Sequence, residues 1–341
     1  MLTRAYIRNV TIALAGVALW IGSIHVAYPS RLALIFPALV VDMSSPAAYI
    51  LTRRIPKWFL GPKWEEWIDS WFEFWPALNI EHRTERMNAF VTLVFGYSVV
   101  ALLYQSTVNG IDAHYGKAVL GLIQAFCFNW MYFEVDGSNL HVHAIRRRKI
   151  TAFGWNFCHL PFIMAYVLGG AALSKLVLAV DTPDSHLDAL TETYQLKAEE
   201  EISMGIRWFY CAGFAIALTF MAFISITHVH KHSPTLRLKK RFRLAGRFVI
   251  ALIILLLPLA DGLNSLQLVG TVTALVASAL LLELWAGSCK MEKLCQRSQP
   301  CKYIGHCQKK ELEAMVKRGE RVDISALSSE KNKHDGLTVA L

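Results

Sequence analysis

Long apolar runs alternate with short polar segments along most of the chain, and each run is close to the length of a membrane-spanning helix. A helix crosses the hydrocarbon core of a bilayer with about 20 predominantly apolar residues. The pattern predicts eight spans of this kind. They cover residues 11–27, 32–51, 87–105, 118–136, 151–178, 206–228, 248–263 and 266–286. The predicted fold class is therefore all-α, a polytopic transmembrane helical bundle.

The composition agrees with a membrane protein rather than a soluble one. Hydrophobic residues make up 54% of the chain and charged residues only 18%, whereas soluble proteins carry about a quarter charged residues. We expect residues 1–288 to form the transmembrane domain. Residues 289–341 are rich in charge and poor in large apolar side chains, which predicts a cytosolic, largely disordered tail.

The basic residues concentrate in the loops on one side of the predicted bundle. Residues 146–149 read RRRK and residues 231–247 read KHSPTLRLKKRFRLAGR, whereas the loop at about 179–204 is acidic. Because basic loops stay on the cytosolic side, this asymmetry predicts that both termini are cytosolic and that the acidic loop is external. The formal charge of +9 is thereby explained by topology, and no nucleic-acid partner is expected.

A separate amphipathic pattern between the second and third spans predicts one interfacial helix at about residues 62–76. Trp64, Trp67 and Trp71 share one face of this helix, and acidic residues occupy the other face. Such a helix is expected to lie in the plane of the membrane interface. Because its polar face is acidic, the alternative is a docking site for a basic protein partner over residues 57–76.

Two short motifs near the third and fifth spans resemble those of a known family. Residues 82–98 read HRTERMNAFVTLVFGYS, and Trp155 is followed by His159, Leu160 and Pro161. Members of the low temperature requirement A family carry His-x-x-Glu-Arg before a span that ends in Gly-Glu-Ser, and a Trp-x-x-x-His-Leu-Pro opening to a later span. The chain is similar to this family from about residue 82 to residue 263, and its basic loops suggest the fungal branch. The resemblance implies a multi-pass membrane protein and assigns it no particular reaction.

The chain departs from the family pattern at two points. Tyr97 stands where bacterial relatives have the glutamate of Gly-Glu-Ser, so a role that depends on that carboxylate does not carry over. The acidic Phe-Phe-Asp-Leu motif that opens most relatives is absent from the sequence. We therefore expect a member that is shorter at its N-terminal end.

The hinge after the fourth span holds the first group of candidate site residues. Asn129, Glu134 and Asp136 lie near the end of this span, and His159 lies inside the next one. Ionisable groups at a membrane boundary are costly unless they find partners or serve a function. Glu134 and Asp136 either anchor the hinge by pairing with residues 146–149, or bind a proton or cation in a cytosol-facing vestibule. His159 is either a hydrogen-bonded core histidine or part of a proton relay, with Asn129 as its expected partner.

Further candidates lie at the ends of other spans. His82, Glu85 and Arg86 share one helix face where the chain enters the third span. They form either a snorkelling charge belt or a cytosolic gate or head-group site. Asp42 and Asp261 each lie within a few residues of a proline at the edge of an apolar run. They are either interfacial acids or ion-binding residues in a broken helix.

Four cysteines of the tail are evenly spaced. Cys289, Cys295, Cys301 and Cys307 lie six residues apart among basic residues. This spacing is wider than that of paired zinc ligands, so no metal site is expected. Juxtamembrane cysteines in a basic segment are candidates for palmitoylation, or have no special role. The sequence lacks Gly-rich phosphate loops, nucleophile elbows and haem or dinucleotide fingerprints, and no cofactor is predicted.

Three functions remain open for this pattern. The leading hypothesis is a transporter or channel-like protein for a small solute or ion. In its proton-coupled form Glu134, Asp136 and His159 carry the proton, with Asp42 and Asp261 as outlying contributors. The alternative is an intramembrane enzyme that acts on a lipid or isoprenoid through the same acid–base groups. The third is a non-catalytic membrane scaffold, and membrane lipid is an expected partner in each case.

Overall fold

In the computed structural model, the described residues are 2–49, 61–71, 79–104, 112–137, 140–183, 185, 187, 190–230 and 236–288. Helices account for nearly all of the regular structure among them, which confirms the predicted all-α class. In chain order these helices are α1 (Leu2–Ile24), α2 (Leu32–Tyr49), α3 (Pro62–Trp71), α4 (Ile80–Leu103), α5 (Ala113–Trp130), α6 (Ala144–Arg147), α7 (Lys149–Leu178), α8 (Glu192–Gln195), α9 (Met204–Thr227), α10 (Lys240–Leu256) and α11 (Ser265–Gly287).

Two of the long helices change their winding near one end. α5 continues through a π-helical turn at Met131–Val135, and α10 continues through a short 3₁₀ segment at Leu257–Leu259. The 3₁₀ segment contains Pro258, which removes a backbone donor and ends the regular α-helical pattern. The π turn directly precedes Asp136, and such turns are frequent at functional sites.

Seven of the described helices are long and apolar enough to cross a membrane, and the chain is a multi-pass integral membrane protein. The seven segments are Ile7–Ile24, Ile80–Leu103, Ala113–Val135, Ile150–Leu178, Met204–Thr227, Lys240–Leu259 and Ser265–Gly287. The remaining predicted span corresponds to α2, of which the part with described side chains, Leu32–Asp42, is a shorter apolar helix.

The described residues fall into two compact units. The first comprises residues up to Asn88 together with Ala152–Phe157, and the second comprises the remainder. In the first unit α1 packs against α2. The indole N–H of Trp20 donates to Oδ2 of Asp42 at 2.9 Å, so a polar side chain within the apolar sequence of α2 has a hydrogen-bond partner on α1.

The predicted interfacial helix corresponds to α3, which also belongs to the first unit. It begins at Pro62, where the missing N–H of proline is tolerated. Trp67 lies 5.0 Å from Trp64 and 5.7 Å from Trp71 between ring centroids, so the tryptophans share one face as predicted. Residues 72–76 of the predicted helix lie outside the described residues.

In the second unit an aromatic layer fills the space between α4, α5, α7 and α9. Phe95 meets Tyr166 edge-on with ring centroids 4.8 Å apart, and Tyr166 meets Phe128 in the same way at 5.3 Å. Phe128 in turn lies 5.4 Å from Phe214. All four rings are buried, so this layer forms a continuous part of the core.

A short β ladder, which the all-α expectation lacks, joins two loops at one end of the second unit. β1 (Leu140–Val142) follows α5 and pairs antiparallel with β2 (Val229–His230), which follows α9. At the same end α10 begins at Lys240, eight residues earlier than the predicted span at residue 248. Arg243 and Arg247 of this extra helical segment were expected in a loop, but their side chains find acidic partners inside the bundle.

Candidate functional site

A group of buried charged side chains lies at the end of the second unit that carries the β ladder. It consists of Asp136 after α5, Arg243 and Arg247 from α10, and Glu283 from α11, and we call it the ionic cluster. Arg247 is 1% exposed and Glu283 is 2% exposed. Side chains with these charges are almost never fully buried unless they are paired.

The guanidinium of Arg247 binds two carboxylates at once. Its Nη1 and Nη2 donate to Oδ2 and Oδ1 of Asp136 at 2.8 and 3.2 Å. Its Nε lies 2.6 Å from Oε1 of Glu283, and Nη1 of Arg243 lies 3.4 Å from Oε2 of the same carboxylate. Two positive and two negative charges therefore balance within the cluster. Without such pairing, each buried ion would cost several kcal/mol.

The π-helical turn before Asp136 decides which acid of the hinge enters the ionic cluster. Such a turn inserts an extra residue into the helix, and the N–H of Asp136 accordingly donates to the Met131 carbonyl at 3.1 Å. Asp136 is buried, whereas Glu134 within the turn is exposed. Burial would raise the pKa of Asp136, but the charge and hydrogen bonds of Arg247 hold this pKa below its usual value. Asp136 is therefore an ionised carboxylate matched to a guanidinium.

Lys240 and two histidines surround the ionic cluster beside the β ladder. Nζ of Lys240 donates to two backbone carbonyls at the end of α9 and to Nδ1 of His230, the last at 2.7 Å. Because Nδ1 of His230 accepts, its Nε2 carries the hydrogen that reaches the Asp136 carbonyl at 3.1 Å. Nδ1 of His228 accepts from the N–H of Ala144 at 3.1 Å. These contacts hold both rings in the neutral form.

The pKa values of the histidines agree with neutral rings. Burial, followed by the charges of His143 and His230, lowers the pKa of His228 to about 3. Burial, followed by the charge of Lys240, lowers the pKa of His230 to about 4. Burial and Arg146 also lower the pKa of His143, whose ring lies 4.6 Å from that of His228. At neutral pH these histidines are hydrogen-bonding groups rather than cations.

A further buried cation lies at the opposite end of α5. Lys117 is fully enclosed, and its Nζ donates to the Ala179 carbonyl at 2.6 Å and to Oγ of Ser265 at 3.1 Å. Ser265 donates its backbone N–H to Oδ2 of Asp181 at 2.6 Å and its hydroxyl to Oδ1. Lys117 and Asp181 therefore balance each other across one serine, where the lysine caps the end of α7 and the aspartate caps the start of α11.

The helices α5 and α11 carry polar residues at three levels along their contact, and we call this row the polar seam. In the order α5 to α11, the levels are Lys117 with Ser265, Gln124 with Thr273, and Asp136 with Glu283 through Arg247. A helix that runs from residue 117 to residue 136 rises about 28 Å. Since the hydrocarbon core of a bilayer is about 30 Å thick, the polar seam extends over nearly the whole membrane thickness.

The residues predicted at the hinge are only partly brought together. Asp136 pairs with Arg247 rather than with the basic residues 146–149. His159 is buried, and its Nε2 lies 2.9 Å from the Tyr132 hydroxyl. This partner lies nearly one turn beyond the expected Asn129, which is half-buried. Asp136 thus contacts α10 through Arg247, and His159 contacts the π turn through Tyr132.

The motif residues of the third span lie in the first unit. His82, Glu85 and Arg86 are exposed. Arg83, which was not among the predicted site residues, donates from Nε and Nη2 to Oδ1 of Asn156 at 3.1 and 2.6 Å. Asn156 directly follows Trp155, so this contact connects the two motifs on which the family resemblance rests.

The outlying candidates are not part of the ionic cluster. Asp42 accepts from Trp20 in the first unit. Asp261 is exposed in the turn between α10 and α11, and its backbone carbonyl accepts from Arg207 at 3.5 Å. The tail cysteines Cys289, Cys295, Cys301 and Cys307 lie outside the described residues. Within the described part of the chain, no group of three or more His, Cys, Asp or Glu side chains is placed to hold a metal ion.

Arg247 and Lys240 were not predicted as site residues, because the basic segment that contains them was expected to be a loop that determines topology. A signal for their helix is nevertheless present, since Leu244, Arg247, Ala251 and Ile254 recur at helical spacing and are all buried. A basic residue on such an apolar face requires an acidic partner. Glu283 is the matching signal, as a single acid within an otherwise apolar helix.

The family membership follows from a comparison with family models. Residues 2–282 match the family described as bacterial low temperature requirement A protein (LtrA), a range that extends on both sides of the two motifs and includes the whole of α10. No match was found to a curated protein or to a solved structure. Because the match covers most of the chain, the protein belongs to the low temperature requirement A family.

Proposed function

We propose that the protein transports a small solute or ion across the membrane and that the ionic cluster couples this transport to protons. The observation that supports the proposal is the position of Arg247, which binds the carboxylates of two other elements inside a membrane-spanning bundle. Ionisable residues within membrane helices are rare and commonly belong to ion or proton pathways.

A guanidinium shared by two acids gives the cluster two alternative charge arrangements. A proton that binds to Glu283 removes one negative charge and leaves Asp136 as the charged partner of Arg247. Breaking a buried ion pair costs about 3–5 kcal/mol. This is comparable with the about 5.5 kcal/mol that moves a two-state equilibrium from 1:99 to 99:1. The change in free energy when a carboxylate of the cluster is protonated is therefore large enough to change which conformation of the bundle is favoured.

The polar seam also supports the transport proposal. It continues from the ionic cluster through Gln124 to Lys117 and Asp181 at the other end of α5. A path for a polar solute through hydrocarbon needs polar groups at several depths, because unsatisfied polar groups are costly there. The contact between α5 and α11 provides polar groups at three depths, and we place the transport path along it.

The experiment uses the full-length protein in liposomes that contain a pH-sensitive dye. A pH gradient is imposed and a panel of small solutes and ions is added, and we expect proton movement that depends on one class of solute. Asp136→Asn and Glu283→Gln should abolish the proton movement. Glu134→Gln is the matched control, because this exposed acid lies two residues from Asp136. Wild-type vesicles without solute-dependent proton movement across the panel would refute the proposal.

A second candidate function, an intramembrane enzyme for a hydrophobic substrate, is favoured by the surroundings of His159. The ring of Tyr132, its hydrogen-bond partner, stacks on Phe162 with centroids 5.7 Å apart and meets Phe95 edge-on at 6.4 Å. An imidazole and a phenol in contact can move a proton to or from an apolar molecule. Turnover of a lipid mixture that is lost in His159→Gln, in vesicles without solute flux, would favour the enzyme. If neither flux nor turnover occurs, the scaffold remains.

Membrane lipid is the proposed partner of α3. Trp67 and Trp71 are about half exposed, at 49% and 51%, and tryptophan is enriched at membrane interfaces. We expect lipids brominated near the headgroup to quench part of the tryptophan fluorescence, and Trp67→Phe to reduce that part. Unchanged quenching in this variant would instead favour a protein partner for the exposed face.

A further inference from the structure

Lys240 lies in the first turn of α10 and connects this helix to α9 and to the β ladder. Its Nζ donates to the carbonyls of Ser225 and His228 at the end of α9 and to Nδ1 of His230 in β2. Three acceptors around one nitrogen use three hydrogens, and only the charged ammonium carries three. Lys240 is therefore a cation in this arrangement, and its third hydrogen bond needs an unprotonated nitrogen on His230.

The ring of His230 uses both of its nitrogens. Nδ1 accepts from Lys240 at 2.7 Å, and Nε2 donates to the carbonyl of Asp136 at 3.1 Å. Turning the ring over would put carbon atoms at both contacts, so the two contacts together fix its orientation. A second proton on the ring would have to bind Nδ1, directly against the ammonium. A charged His230 and a charged Lys240 therefore cannot keep this contact.

His228 has the same requirement at the neighbouring loop. Its Nδ1 accepts from the backbone N–H of Ala144 at 3.1 Å, where α6 begins. Because a backbone N–H is only a donor, Nδ1 of His228 must be without a proton. Protonation of this ring would break the bond to α6. The end of α5, the start of α6, the end of α9 and the start of α10 are thus joined by contacts that require neutral imidazoles.

The β ladder adds little to these contacts. β1 and β2 have three and two residues, all of them half-buried, and their register is irregular. A two-stranded ladder of this length has little stability of its own. Segments with little buried apolar surface open locally at a lower free energy than the core does. The two loops can therefore separate while the aromatic layer stays packed.

We propose that His230 and Lys240 form an acid-released latch, which keeps the β ladder end of the bundle closed at neutral pH and opens locally when His230 takes up a proton. His228 is the second proton acceptor of the latch. Because His230 contacts Asp136 of the ionic cluster, the opening gives water access to this cluster. The inference goes beyond the proposed transport and does not depend on it.

The other titratable and charged groups around the two rings come from every element packed against them. They are Lys240 and Arg243 of α10, Asp136 after α5, His141 of β1, His143 before α6 and Arg147 of α6. The arginines stay charged between pH 5.5 and pH 7.5, and Arg247 keeps the pKa of Asp136 below its usual value. The changes of charge in this range therefore fall on histidines, which variants can tell apart.

The pKa values give the direction and the size of the effect. Burial, followed by the charge of Lys240, lowers the pKa of His230 to about 4 in the closed form, whereas a released ring has its ordinary pKa of about 6.5. Between these values the open form binds protons that the closed form does not, so falling pH favours the open form. From pH 7.5 to pH 5.5, His230 alone should raise the ratio of open to closed molecules about tenfold.

The test is hydrogen–deuterium exchange of the full-length protein in detergent, measured at pH 7.5 and at pH 5.5. Protection factors, which are corrected for the intrinsic effect of pH on exchange, report the ratio of closed to open molecules for each segment. The latch is followed in residues 140–146, which contain β1 and the N–H of Ala144. Residues 162–168 of α7, which contain Tyr166 of the aromatic layer, report whether the core opens.

We expect the protection factor of residues 140–146 to fall about tenfold or more at pH 5.5 and that of residues 162–168 to stay unchanged. His230→Gln stays neutral at both pH values and should make this fall about tenfold smaller. His141→Gln is the matched control, because it changes another titratable ring of the same ladder, and it should behave as wild type. If His230→Gln does not fold, deuteration of the imidazole C2 carbon in wild type reports the pKa of His230 directly.

Four outcomes overturn the inference. Equal protection of residues 140–146 at the two pH values would refute the latch. Loss of protection in both segments would mean that acid unfolds the whole protein. A fall in His230→Gln as large as in wild type, or no fall in His141→Gln, would assign the proton to another group. A His230 ring with its ordinary pKa of about 6.5 in molecules whose residues 140–146 stay protected would contradict the latch in the wild-type protein.

Discussion

Gly213 of α9 lies directly against the backbone of Gly169 on α7. A Cβ atom added to Gly213 would lie 2.6 Å from both the Cα and the nitrogen of Gly169, and 2.8 Å from the Ala165 carbonyl. These are backbone atoms, which cannot turn aside as the end of a side chain can. Small residues let membrane helices approach closely at such crossings. The crossing of α7 and α9 therefore depends on glycine at position 213.

Gly213→Ala is expected to destabilise the protein by about 1–3 kcal/mol, the usual cost of overpacking a core. The measurement is thermal unfolding of the purified protein in detergent. Gly96→Ala is the control, because an added Cβ there meets nothing within 4 Å and alanine favours a helix more than glycine does. Equal melting temperatures for wild type and Gly213→Ala would show that α7 and α9 separate without cost.

We expect that removing one charge from the ionic cluster destabilises the protein more than removing three of its charges together. Arg247→Met alone leaves the carboxylates of Asp136 and Glu283 buried without their main partner, which should cost about 3–5 kcal/mol. The triple variant Arg247→Met, Asp136→Asn, Glu283→Gln removes both carboxylates as well. We expect its melting temperature to lie closer to that of wild type than the melting temperature of the single variant does.

A surface ion pair provides the comparison for this experiment. Lys175 and Glu199 approach to 3.9 Å with side chains 47% and 44% exposed, and such pairs contribute about 0–1 kcal/mol. Lys175→Met should therefore leave the melting temperature nearly unchanged. If it costs as much as Arg247→Met, the cluster has no special role in stability.

The histidines beside the β ladder predict that the protein loses stability in mild acid. The folded pKa values of His228 and His230 are about 3 and about 4, below the usual value of about 6.5. Between these limits the unfolded chain binds protons that the folded chain does not. Each histidine therefore removes about 1.4 kcal/mol of stability per pH unit as the pH falls from about 6.5 to about 4. Above pH 7 neither histidine makes the stability of the protein depend on pH.

Unfolding temperatures measured between pH 7 and pH 4 test this prediction. His228→Gln keeps a hydrogen-bond acceptor and should flatten the decline, and His82→Gln, which changes an exposed histidine, is the control. The groups that face the two buried rings are His143, Lys240, Arg243 and Asp136. Asp136 has a lowered pKa and affects stability only below about pH 4, so it does not confound the window. A decline as steep in His228→Gln as in wild type contradicts the assignment.

The spans could be predicted from sequence because hydropathy is a local property. The predicted spans overlap the helices α1, α4, α5, α7, α9, α10 and α11, since each apolar run has the length that a bilayer requires. The predicted spans differ from the helices mainly at their first and last residues. α10 starts at Lys240 rather than at residue 248 because Arg243 and Arg247 pair with acids that lie 36 or more residues away in the sequence. The residues around Arg243 and Arg247 do not indicate such distant partners.

The candidate site was harder to predict for the same physical reason. The charge of Asp136 and its position at a membrane boundary identify it as a candidate, but its partner Arg247 lies 111 residues later. Which face each helix turns to its neighbours depends on packing, and the π turn that separates Asp136 from Glu134 has no recognised sequence signal. His159 lies within an apolar run and is buried, while its hydrogen bond to Tyr132 depends on how α5 and α7 pack.

Membrane topology provides the last prediction. The excess of bases in the loops predicts that the β ladder end of the second unit faces the cytosol. Single cysteines at two exposed positions, Arg148→Cys and Glu192→Cys, report the two sides when intact cells are treated with a membrane-impermeant maleimide. We expect Glu192→Cys to react from outside and Arg148→Cys to react only after permeabilisation. Reaction of Arg148→Cys in intact cells would invert the orientation.

An epitope at the N-terminus then decides whether α2 crosses the membrane. With eight crossings, the N-terminus lies on the same side as Arg148, and an antibody should reach the epitope only in permeabilised cells. Asp42 is the one acid of α2 (Leu32–Tyr49), and its carboxylate is hydrogen-bonded to Trp20 of α1. This bond reduces the cost of carrying α2 through hydrocarbon, and for that reason we expect eight crossings. An epitope accessible in intact cells, with Arg148→Cys protected, would show that α1 crosses alone.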